Sequence, residues 1–102
     1  MSVLTVALTV TATEAKAFLI IGAGVDSCRT WIDDRSQRNA GSLQDEQWVL
    51  GLLSGVALAD ASDPLKGMDT QGVWAWIDNY CRAHPIETIA HAAESFTLAH
   101  PH

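Results

Sequence analysis

A chain of 102 residues with 48% hydrophobic and 18% charged content has the composition of one small globular domain with a single core. Its formal charge of -6 and pI near 4.8 leave no basic face for nucleic acid or an anionic membrane surface, both of which bind through lysine and arginine. Cys28 and Cys81 are its two thiols, either a staple or two unrelated buried groups, and the compartment decides between these readings.

Residues 1 to 17 form an apolar run ending in small residues, with Ala15-Lys16-Ala17 in the small-x-small pattern of a signal-peptidase site. Read this way they are a secretory signal, and residues 18 to 102 are the exported domain, periplasmic or secreted, without a membrane span. The alternation of Leu4, Val6, Leu8 and Val10 against Thr5, Ala7 and Thr9 is the competing reading, a half-buried strand, but a lone strand has no partner elsewhere. Export favours a staple between Cys28 and Cys81. Gly22-Ala-Gly24 lacks the third glycine of a dinucleotide fingerprint and reads as a turn between an apolar arm and the first helix.

Four helices follow. Asp26 or Ser27 caps the first, which runs to about Arg38 with Cys28, Trp31, Ile32 and Arg35 inward and Arg29, Asp33, Asp34 and Arg38 outward. Neighbouring Asp33 and Asp34 point about 100° apart on a helix and are poorly placed for joint acid-base work. Ser42 with Asp45 resembles a capping box opening a second helix from Leu43 to about Leu58. Its Gly51, Ser54 and Gly55 form a small-residue seam, expected to take close approach of the helix that carries Cys81. Residues 59 to 69 are a connector, and their aspartates do not match a calcium loop.

The third helix, from Thr70 to about His84, is expected to bury Val73, Trp76, Ile77, Tyr80 and His84, with Trp74 and Cys81 on the flank and Asp78, Asn79 and Arg82 opposite. Thr70 is its expected cap. Trp74, Asp78 and Arg82 form the candidate interaction surface. Pro85 is placed at the start of a fourth helix, with Ile86, Ile89, Ala90, Ala93 and Phe96 inward. The expected core comprises Trp31, Trp48, Leu52, Trp76, Ile77, Tyr80, Ile89 and Phe96. His84, His91, His100 and His102 lack ligand spacing, Ser54 sits in no nucleophile elbow, and no catalytic, cofactor or metal residue is assigned.

The signal-like start, Cys28 near Trp31, the run Trp48-Val-Leu-Gly-Leu-Leu-Ser-Gly, and Tyr80-Cys81-Arg-Ala-His-Pro before an alanine-rich helix carry a resemblance. The chain resembles the small exported helical proteins grouped with the Rap/Tai type VI secretion immunity proteins and the HdeA-type acid-stress chaperones. That resemblance implies an all-α bundle of about four helices and a disulfide from Cys28 to Cys81. It also implies a non-catalytic role, either binding and blocking a protein partner or protecting clients in acid.

Overall fold

The computed structural model describes residues 19 to 60 and 62 to 101, and among these four α-helices carry the fold with no strand. They are α1 (Cys28–Gln37), α2 (Ala40–Asp60), α3 (Thr70–Ala83) and α4 (Ile89–Ala99), preceded by one 3₁₀ turn, Ala23–Val25. Residues 1 to 17, with the expected signal segment, lie outside the described residues. The bundle is all-α, as the four amphipathic stretches require.

Each helix starts where a side chain takes an otherwise orphaned N–H. Ser27 accepts from the Thr30 amide at 3.2 Å. Asn39 accepts from the Ser42 amide at 3.0 Å, so α2 begins three residues before Leu43, and Ser42 and Asp45 are buried inside it instead of forming a capping box. Asp69, not Thr70, caps α3 through the Gly72 amide at 2.8 Å. Thr88 caps α4 through the His91 amide at 3.1 Å, and Pro85 lies in the preceding turn with Ile86 86% exposed. The expected start of α4 at Pro85 is therefore too early. A capping hydroxyl three residues on, at Thr88, outweighs the preference of proline for a first turn.

The helices pack in a ring. α1 contacts α2 and α3, and α4 contacts the same two from the other side. α2 and α3 thus sit diagonally, and the expected pairing of the glycine seam with the Cys81 helix does not form. Gly51, Ser54 and Gly55 face solvent, and a Cβ built on either glycine meets nothing within 4 Å.

Where the N-termini of α1 and α4 meet, the chain is tied by its backbone. The amides of Cys28 and Arg29 donate to Glu87 and Pro85 carbonyls at 2.6 and 3.0 Å, and Ile89 donates to Asp26 at 2.9 Å. The Cys28–Cys81 disulfide, with a Cα separation of 4.8 Å, fastens the end of α3 to the same point.

The core is Trp31, Val49, Leu53, Val73, Trp74, Ile77, Ile89, Ala92, Ala93 and Phe96 around that disulfide. Trp31, Ile77, Ile89 and Phe96 match the expected core, whereas Trp48, Leu52, Trp76 and Tyr80 are half-buried and pack against its edge. Of the broad apolar arc that Trp48, Val49, Leu52, Leu53 and Val56 make on α2, Val49 and Leu53 are fully buried, leaving Trp48, Leu52 and Val56 half-buried along one flank. α3 is covered on two sides. Trp74, Asp78 and Cys81 face α1, while Trp76 and Tyr80 face α4, with Trp76 edge-on to Phe96 at 5.3 Å.

Candidate functional site

Two concave features stand out, one polar and one apolar. The polar one opens beside Arg35, with Arg38, Asn39, Ser42, Leu43, Glu46 and Gln71 around it. Arg35 of α1 gives Nε and Nη2 to Asp78 at 2.9 and 2.7 Å and Nη1 to Glu46 at 2.9 Å. Trp31 adds its indole N–H to Asp78 at 2.7 Å, and the guanidinium lies 5.7 and 5.9 Å from the rings of Trp31 and Trp74. Burial alone would raise the Asp78 carboxyl, but hydrogen bonds from Arg35 and Trp31 outweigh it and hold Asp78 below the usual carboxylate range. Bonding to Asp78 raises Arg35 in turn. Asp78 and Glu46 together more than neutralise the Arg35 charge, so this node fixes α1 against α2 and α3 and is poorly suited to hold an anion.

This node also places the three residues expected to form an interaction surface. Trp74 is 7% exposed in the core, and Asp78 is held by Arg35 and Trp31; of the three, only Arg82 stands in solvent, bonded to Asn79. They do not form one exposed patch. The i, i+4, i+7 spacing of Trp74, Asp78 and Cys81 was the available signal for a second packed stripe.

The apolar feature is a groove of about 940 Å³ running between α2 and α4. Trp48, Leu52 and Val56 form its α2 wall, Ala90, His91, Glu94 and Thr97 its α4 wall, and the arm Leu19–Ile21 one end. Asp60 and Glu94 are acidic members of the lining, which contains no lysine or arginine.

The arm is seated deliberately. The Trp48 indole donates to the Ile21 carbonyl at 3.0 Å, Gly22 takes a φ of 98°, and a Cβ on Gly24 would run into the Trp48 ring. Gly22-Ala-Gly24 is thus a turn, made of glycine because the backbone must lie flat on an indole. Leu58, 89% exposed, lies on the opposite, solvent-facing side of α2 with Gly51, Ser54 and Gly55.

Two of the histidines stack on aromatic rings. His84 lies 4.2 Å from Tyr80 and His100 4.1 Å from Phe96, each ring bonded to the carbonyl four residues before it. Among the described residues no three metal-ligating side chains converge, and no helix is long and apolar enough to cross a membrane. Compared with protein-family models, with curated proteins and with solved structures, the chain matches none.

Proposed function

We propose that this is a non-catalytic binding protein of an oxidising compartment, periplasmic or secreted, whose α2/α4 groove accepts an apolar, lysine- or arginine-bearing segment of a partner protein. The observation that carries the reading is the groove itself: a largely apolar lining that includes Asp60 and Glu94 and neither lysine nor arginine. An apolar segment removes that lining from water, and a basic residue on it complements the two acids. The net charge of -6 favours the same partner at longer range. The disulfide is consistent with an oxidising compartment. On the resemblance to the Rap/Tai immunity proteins, the partner is an effector that this protein blocks.

A photo-crosslinker at Val56 tests the reading in envelope extracts. A stoichiometric adduct to an apolar, basic peptide of one other protein is expected, weakened about tenfold by Asp60→Lys with Glu94→Lys at low salt. An adduct to a second copy of the chain, or equal labelling from a crosslinker at the exposed Ala75 of α3, the helix diagonal to α2, would remove it.

A further inference from the structure

Asp45 is 2% exposed inside the α1/α2 contact, and its Oδ2 has no hydrogen-bond partner. An ionised carboxylate there gives up its hydration without compensation. Asp34 reaches the same place from α1. Its Oδ2 and Cγ lie 2.9 and 3.0 Å from where a Cβ on Gly41 would stand, and Gly41 is one turn before Asp45 on the same face of α2. Glycine at 41 makes room for that carboxylate. Asp34, expected on the outer face beside Asp33, is instead half-buried over α2.

The other charges acting on Asp45 are also negative: Asp26 from the segment before α1, and Glu46 from α2 itself. The charged residues of α4 that face α2, His91 and Glu94, lie along the groove beside Val56 and Asp60, away from this first turn. Arg35 is taken up by Asp78 and Glu46, and no ion pair among the described residues reaches Asp34 or Asp45. No third ligating side chain joins the two carboxyls, so a proton fits the site better than a cation.

We propose that Asp34 and Asp45 share one proton, and that this proton clasps α1 to α2 in acid and is released as the medium turns neutral to alkaline. The Asp45 O–H donates to the Asp34 carboxylate, and the N-terminus of α2 stabilises the charge that remains. When the proton leaves, two like charges face each other across a buried contact. Burial first, then the hydrogen bond and charge of Asp34, push Asp45 up to about 7 from its ordinary 3.8.

Between pH about 4 and about 7 the native state holds a proton that the unfolded chain lacks. Stability therefore falls as pH rises through this window, with the folded-to-unfolded ratio dropping about tenfold per pH unit at full linkage. Below about 4 Asp45 adds no pH dependence, because it is protonated in both states. Such a protein is favoured by mild acid, independently of what the α2/α4 groove binds.

The test is a set of thermal melts of the oxidised full-length protein and its Asp45→Asn variant from pH 5 to 8, with a ¹³C carboxyl titration of the wild type. The wild-type Tm is expected to fall with pH, while the variant stays level and exceeds wild type at pH 8. In the titration, one carboxyl is expected to titrate near 7 and to move toward 4 in Asp34→Asn. Parallel Tm profiles, or Asp45 titrating near 4 in the wild type, would overturn the proposal; the titration decides alone where Asp45→Asn does not fold. A midpoint near 7 that drops on adding calcium chloride would replace the proton with a cation site and overturn it equally.

Discussion

Asp78 shows how a side chain assigned to the solvent face of a helix becomes a structural hub. It accepts from Trp31 and twice from Arg35, tying α3 to α1 along the flank that also carries Trp74 and Cys81. Asp78→Ala leaves Arg35 with only Glu46 and the Trp31 indole without its acceptor, so we expect a loss of about 2 kcal/mol, below that of a fully buried pair because the Arg35 side chain is 25% exposed. The midpoint of urea unfolding checks it. Because the folded-state Asp78 carboxyl is held below its ordinary 3.8, its contribution is present above about pH 4 and lost as pH falls below that. The expected result is an acid limb of unfolding below pH 4 that is reduced in Asp78→Asn, in a window separate from that of Asp45. The lone pair of cysteines was legible as a staple from the chain alone. The role of Asp78 was only hinted at by its i, i+4, i+7 spacing with Trp74 and Cys81, because the stronger apolar stripe lies elsewhere on α3 and a second stripe exists only when another helix lies against it.

At the scale of elements, α2 and α4 depart most from what their sequences suggest. The spacing of Gly51 and Gly55 predicts a seam for a neighbouring helix, yet both are exposed with open space at the Cβ position. Gly51→Ala with Gly55→Ala should therefore raise stability by about 1 kcal/mol per site, since alanine loses less backbone entropy and meets no obstacle. A melt of the double variant that shows no gain would contradict the placement of this face. For α4, the cap at Thr88 and the turn at Pro85 make opposite predictions from a start at Pro85. Thr88→Ala should cost about 1 kcal/mol and Pro85→Ala little of helix origin, as read by chemical denaturation. The arm Leu19–Ile21 depends on Trp48 and two glycines. Gly24→Ala should release it, visible as faster proteolysis near Ile21 with nearly unchanged core unfolding. Nothing in the sequence signals the groove these elements enclose. Leu52 reads as core, and only the packing that buries Val49 and Leu53 leaves it, with Val56, on the flank of α2.

For the whole molecule the disulfide dominates. A bridge across a sequence separation of 53 residues restricts the unfolded chain by about 4 kcal/mol on chain-entropy grounds, a large part of the 5 to 15 kcal/mol typical of a domain. Reduction, or Cys28→Ser with Cys81→Ser, should lower Tm by about 20 °C. Calorimetry with and without reductant checks it, and a shift of only a few degrees would mean that the three-helix junction at Cys28, Cys81 and Ile89 holds without its covalent tie. The all-α class, the four helices, the cysteine pair and half of the expected core can be read from the chain alone. Each follows from local spacing or from composition, which act before any tertiary contact forms. Tertiary structure decided the ring order that sets α2 diagonal to α3, the hub at Asp78, the α2/α4 groove and the meeting of Asp34 with Asp45. These depend on the rotation of each helix about its axis, which is set by how side chains from distant parts of the chain fill shared space.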